Sequence, residues 1–320
     1  MRLCVVRMRP RPDFRMIALL VRRLAGALGT LALLASLVFV ATRWLPGDIT
    51  PIVLGDEASP SDRARLRARL HLDETRWVQF AYFAKDTASL TWGRSLRRPQ
   101  ESCLDRVLSA AKPTAALAFL AVGLGALLGL SASILAVASR SLALRRAVDV
   151  VAATPLLAFA PIVTWLLAWK VRVVPLPGDP DAGFAGLLFA AGLLALPLGA
   201  HLARLAIALL EPLRDGNTLR LVRAKGATEL RVWTRHALPQ VASTLVVVIG
   251  AQLGALLGGA VVLERLFERP GLGLLALEAW QARDVPMLEA AVFGSGVIFV
   301  LTQLVAGLAS LAFDARSQES

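Results

Sequence analysis

The stretch VASTLVVVIGAQLGALLGGAVVL, Val241 to Leu263, contains no charged side chain. A bilayer core about 30 Å thick is crossed by roughly 20 apolar helical residues, so this run is long enough to span it. Five other segments of similar character lie at residues 24–42, 113–138, 148–169, 184–210 and 288–313. None alternates polar and apolar residues with a period of two, which argues against a membrane β-barrel. The chain has 320 residues and is 56% hydrophobic and 18% charged, with a mean hydropathy of +0.63. Soluble domains are rarely so apolar. The expectation is an all-α polytopic membrane protein of about six transmembrane helices.

Orientation follows from the Lys and Arg residues flanking the spans. With the N-terminus inside, the short cytoplasmic pieces hold seventeen of them and the two short outer loops hold five. Both termini are therefore expected in the cytoplasm. The long loop after the first span is also basic, but loops of that length translocate with little regard to charge. The net charge of +12 then reads as a topology signal, and no nucleic-acid partner is needed to explain it. The first apolar run is too long for a signal-peptide core and is followed by Arg-Trp-Leu-Pro, so it reads as retained. Cys4 and Cys103 fall on opposite sides of the membrane in this topology and cannot pair.

Within this frame the chain divides into a basic N-terminal piece (1–23), a first span (24–42), an outer segment (43–104), a helical core (105–313) with a cytoplasmic loop at 213–239, and a tail (314–320). In the outer segment, Pro46 and Gly47 should end the first helix. Ser61 is a candidate cap for a helix with Leu66, Leu70, Trp77, Phe80 and Phe83 on one face. Short helices lying on the outer membrane surface are expected here, or else a solvated helix that touches only its own chain. Pro155, Pro161 and Pro197 fall inside spans and predict kinks. Gly250, Gly254 and Gly258 recur every fourth residue and predict a close-packing helical face, with Gln252 as a buried amide beside it. Arg204 is an intramembrane charge, to be explained by a cavity, a partner or snorkelling.

The loop VRAKGATELRVWTRHALP, Val222 to Pro239, is basic and partly amphipathic between two apolar spans. Leu219, Val222, Gly226, Leu230, Trp233 and Ala237 follow helical spacing. Gly226 interrupts that stripe at a cost of about 1 kcal/mol relative to alanine. It marks either a turn between two short helices or a close approach of another backbone. Pro239 suits the first turn of the next span.

Several motifs of this chain resemble those of ABC-importer permeases of the dipeptide, oligopeptide and nickel branch. Gly226, nine residues, then His236-Ala237-Leu238-Pro239 is similar to the "EAA" coupling loop, although Arg220-Leu221-Val222 replaces Glu-Ala-Ala. Arg223-Ala224-Lys225-Gly226 resembles that branch's version of the loop. Arg43 to Asp48 (RWLPGD), Trp92 to Leu96 (WGRSL), Gly250 to Gly273 (GAQLGALLGGAVVLERLFERPGLG) and Arg283-Asp284-x-Pro286 resemble further elements, in the same order.

The resemblance implies a type I ABC-importer permease fold in the bacterial inner membrane, multi-pass and with no bound cofactor. It implies two cytoplasmic ATP-binding subunits, a second homologous permease (a heterodimer by the family's habit) and a periplasmic or lipid-anchored solute receptor. The ATPase-coupling residues would be Arg220, Arg223, Ala224, Lys225, Gly226, Leu230, Trp233, His236, Leu238 and Pro239. Gln252, Gly254, Gly258, Glu264, Pro270, Gly271, Gly273 and Asp284 would line the translocation path or gate. Since the family starts near the first span, Met1 and Met16 are both candidate starts.

No GxxxxGK[ST] loop is present, so nucleotide is not bound by that route. No serine–histidine or metal cluster can be assembled from the spacing of His71, His201 and His236, which disfavours an enzyme. A secondary transporter would need intramembrane carboxylates. The spans hold almost none beyond Asp149 and Glu211 at their ends. A channel is disfavoured by the coupling-loop resemblance alone.

Overall fold

The computed structural model describes residues 12–43, 54, 59–69, 71–258 and 260–318. The helix break expected at Pro46 and Gly47, most of the RWLPGD motif, Leu70, Cys4 and the alternative start at Met1 lie outside the described residues. Among the described residues, five helices are long and apolar enough to span a membrane, or six if one bent pair counts as a single span.

The first helix, α1 (Pro12–Arg43), supplies the first span. Two short helices follow, α2 (Pro60–Arg69) and α3 (Arg76–Ala88). They are separated by a turn in which His71 has φ of 54°. Short helices were expected here, but the cap is Ser59 rather than Ser61. Ser59 Oγ accepts the Asp62 N–H at 3.1 Å, and Trp77 points away with 84% of its surface exposed. Phe83 is buried beside Phe39 of α1, with Phe80 edge-on to the same ring.

The centre of the bundle is the pair α4 (Cys103–Ala138) and α7 (Gly183–Arg214), which share the most extensive packing. Lipid tails are as apolar as leucine, so helices associate in a membrane mainly through close van der Waals contact between small residues. The buried face of α4 includes Ala110, Thr114, Ala121, Gly125, Gly129 and Ser133; α7 answers with Ala190, Ala191, Gly199, Ala200, Ala203 and Ala206. At the crossing, a Cβ on Gly199 would lie 2.7 Å from the Gly125 carbonyl oxygen, and one on Gly129 would overlap the Gly199 carbonyl. Pro197 and Pro212 are carried within α7 without ending it.

The expected span at 148–169 is two helices, α5 (Leu142–Ala153) and α6 (Leu156–Thr164), continued by a π-turn at Trp165–Lys170 and bent by 98°. Proline disfavours helical geometry in the residue before it, and Thr154 is extended at ψ 120° ahead of Pro155.

Further on, α8 (Asn217–Ala224) precedes α9 (Glu229–Leu257). Pro239 sits in the first turn of the regular α-helical stretch Leu238–Leu257, as expected, although the span as a whole starts earlier. The helix already runs from Glu229, and a π-stretch at Val232–Ala237 precedes the proline. Wider hydrogen bonding of that kind accommodates a residue without an N–H. At its far end, α9 stops at Leu257 rather than running to Leu263, and α10 (Val261–Leu266) is a separate turn. Two short connections then lead through α11 (Leu272–Gln281) to the last long helix, α12 (Val285–Gln318).

Candidate functional site

At one end of the bundle, between α7 and α9, the chain folds back on itself. Gly226 has φ of +80° with nothing within 4 Å of the position a Cβ would take. Of the two readings left open for it, the turn is the one observed. Its N–H donates to the Arg223 carbonyl at 2.9 Å, and Thr228 Oγ1 caps the following helix by accepting the Arg231 N–H at 3.4 Å. Alanine at 226 would meet no neighbour but would be held in left-handed backbone, at about 1–2 kcal/mol. Gly226→Ala is therefore expected to raise amide exchange across residues 217–231, and Gly226→Asn to raise it less.

An internal clamp fixes this elbow. Arg223 Nε donates to Glu229 Oε1 at 2.7 Å, and Trp233 Nε1 donates to Glu229 Oε2 at 2.9 Å. Arg223 Nη1 reaches back to the Arg214 carbonyl at 3.0 Å, and its guanidinium lies 5.8 Å from the Trp233 ring centroid. Trp233 is fully buried with Leu219, Val232 and Ala237 in a cluster that continues into α7. Helical spacing put Leu230 on one apolar stripe with Trp233, but Leu230 is 71% exposed. It and Leu221 share the outer surface with Arg220, Ala224, Lys225 and Gly226, while His236 and Leu238 are half-buried. Glu229, which the sequence reading passed over, is the hub of the clamp. Beside the elbow, a hydrogen bond from Arg214 holds the Asp215 carboxyl below the usual range.

The PGLG turn lies at the opposite end of α9, whose 29 residues give about 43 Å of helix. Here Glu264 is 1% exposed. Its Oε1 accepts the Thr114 hydroxyl at 2.7 Å, and its Oε2 accepts the Leu274 N–H at 2.8 Å. The Leu272 N–H donates to Thr114 Oγ1 at 2.8 Å. A Cβ on Gly271 or Gly273 would collide with the Glu264 carboxylate, so these glycines serve the close seating of that group. The result is a latch joining α4, α10 and α11. Thr114→Val keeps the shape but leaves the Leu272 N–H and one carboxylate oxygen without their partner. The expected cost is about 1–3 kcal/mol, read as a lower thermal midpoint of the purified protein.

Other residues expected to line the path are placed in packing roles. Asp284 is buried and accepts the Ser95 hydroxyl, the Leu96 N–H at 3.1 Å and the Met287 N–H at 3.4 Å. It thereby joins the WGRSL motif to the start of α12. Gly254 packs against Phe299 and Gly250 against Ala306, both of α12, whereas Gly258 meets only carbonyls of its own turn. Gln252 donates to the Leu198 carbonyl at 3.1 Å. Pro270 is exposed at the rim of the latch.

Two buried or intramembrane charges find partners. Arg204 pairs with Asp149 at 3.6 Å, both largely exposed along the α5–α7 seam. Glu289 corrects the count of acidic residues in the spans. It is buried near the start of α12, accepting the Thr42 hydroxyl at 3.0 Å, with Arg43 Nη1 at 3.4 Å. Arg43 in turn donates to Gln79 of α3 at 3.1 Å.

The sequence that builds this bundle has relatives among known proteins. Residues 121–318 match the family described as the binding-protein-dependent transport system inner membrane component. The chain belongs to this family. Residues 16–113 match the N-terminal family of the same transport components. The permease is 29% identical over 313 residues to a putative peptide transport system permease protein of Brucella suis, covering 94% of this chain and 99% of the relative. It is 28% identical over 295 residues to the glutathione transport system permease protein GsiC of Escherichia coli (strain K12), covering 91% of this chain and 95% of that one. The permease is thus a multi-pass inner-membrane subunit of a binding-protein-dependent transporter, and its relatives are transport subunits rather than enzymes.

Proposed function

We propose that this permease forms half of the pathway of an ATP-driven importer for peptides or a related small solute, a nickel chelate included. Its relatives' names support the peptide class. Both termini face the cytoplasm in this reading, with two ATP-binding subunits below, a second homologous permease alongside and a solute receptor on the outer side.

The observation that carries the ATPase part is the elbow at 217–238. A Trp233–Glu229–Arg223 clamp fixes its shape and Arg223 ties it to the Arg214 carbonyl of α7, while Arg220, Leu221, Lys225 and Leu230 stay exposed. A rigid lever with an unburied apolar and basic surface suits a separate motor protein that pushes on it.

Co-purification of the permease with the ATPase tests this reading, followed by receptor-stimulated ATP hydrolysis. Gly226→Trp places a bulky ring on the exposed turn. It is expected to abolish ATPase association and uptake while leaving membrane insertion intact. Unchanged uptake with this variant, or a permease that transports without any nucleotide-hydrolysing partner, would remove the coupling role.

A further inference from the structure

We propose that the cleft beside the latch is a station for the free termini of a short peptide on its way into the permease. The inference rests on the importer reading above and adds the chemistry by which this chain itself would hold the solute. The cleft has a volume of about 530 Å³ and lies at the end of the bundle opposite the elbow. That volume falls within the roughly 300–1,000 Å³ of small-ligand sites.

Its lining is amphoteric. From the start of α4 come Arg106, Ser109 and Lys112; Arg98 stands at the rim; Glu278 of α11 faces them; and Gly271 closes the side towards the latch. Glu101 bridges Arg98 and Arg106 at 3.3 Å each, which holds those guanidiniums in place. Lys112 and Glu278 are exposed and carry no ion pair among the described residues. A cleft with an uncommitted ammonium and an uncommitted carboxylate matches a molecule that carries both opposite charges. In a free peptide, the terminal carboxylate would sit on Lys112, Arg106 and Ser109, and the terminal ammonium on Glu278. Charge-assisted hydrogen bonds of this kind are the strong ones.

The cleft also adjoins the latch. Lys112 is two residues from Thr114, and Gly271 adjoins Leu272, whose N–H bonds the Thr114 hydroxyl. A peptide drawn against Lys112 and Gly271 would therefore press on both sides of the latch that Glu264 closes.

The test is ligand-observed NMR on the purified permease assembly in nanodiscs, with neither nucleotide nor receptor added. Di- and trialanine serve as probes, together with their C-terminal amides and N-acetyl derivatives. The free peptides are expected to bind, and each blocked form to bind about tenfold more weakly, the equivalent of one good interaction. Lys112→Gln is expected to weaken the free peptide about tenfold and to leave the amide unchanged. Glu278→Gln does the same for the free and N-acetyl pair, and Arg106→Lys preserves binding.

Absence of binding, equal binding of free and blocked peptides, or an equal fall of both with Lys112→Gln would overturn the inference. So would variants that lower receptor affinity while peptide binding stays constant, because the cleft would then be a protein-docking surface. The assay contains no ATP, so its failure leaves the ATP-driven reading standing. Failure of the ATPase to co-purify would instead strike that reading without touching the peptide affinities.

Discussion

Trp233→Ala should leave the permease inserted in the membrane but unable to couple. The indole is fully buried where the elbow meets α7, with Leu219, Val232 and Ala237 around it. Truncating a buried tryptophan costs about 3–5 kcal/mol through lost contacts and the cavity left behind. The same change removes the indole N–H that holds Glu229 Oε2, and so loosens the carboxylate that fixes Arg223. The expected result is loss of ATP-driven uptake together with fast amide exchange over residues 217–237, while exchange in α4 and α7 stays slow. Trp233→Phe keeps an aromatic ring but loses the hydrogen bond, worth about 1 kcal/mol, and part of the indole's volume, and should retain more uptake than Trp233→Ala. Similar uptake by Trp233→Ala and the native chain would show that the elbow is not held by this core.

The second large effect lies in the bundle itself. Gly129→Val is expected to prevent the native fold, because a side chain there meets the backbone of Gly199 rather than a movable side chain. The two helices would have to separate along their whole crossing, which no rotamer change can avoid. Overpacking of a tight core costs typically 1–3 kcal/mol and more where backbones must move. Gly123→Val on the same helix is the control, since nothing lies within 4 Å of its Cβ position. It should fall within the ordinary range for surface changes, about 0.5 kcal/mol. Thermal unfolding followed by size-exclusion chromatography separates the two: the first variant should aggregate at temperatures at which the second remains monodisperse. Equal melting of both would mean that α4 and α7 do not cross where these glycines meet.

Legibility of this chain in its sequence depended on how far apart the interacting residues are. The apolar runs were read directly, since a bilayer sets a length that local composition must satisfy. The turn at Gly226 was also accessible, because glycine in an otherwise amphipathic stripe has few explanations. The bend at Pro155 was half-read: proline announced a kink, but the sharp break into α5 and α6 depended on Thr154 being extended. By contrast, Thr114 and Glu264 are 150 positions apart, and Ser95 and Asp284 are 189 apart. Asp284 and Gly254 matched the motifs, yet their neighbours turned out to be other parts of the same chain. Leu230 obeyed the stripe and is nevertheless exposed, because the left-handed turn at Gly226 rotates the second helix away from the register of the first.

Taken by itself, the sequence determined that this is a helical membrane protein, where its apolar spans lie and which short segments are marked out between them. Those properties depend on side chains close together in the chain, where length, spacing and charge are sufficient. Only the tertiary structure decided which marked residues are anchors and which are surface. It joined Trp233 to Glu229 and α7, and Glu264 to Thr114, and it placed an open cleft next to that latch. Burial and hydrogen bonding are relations between segments, and the order of residues along one chain does not contain them.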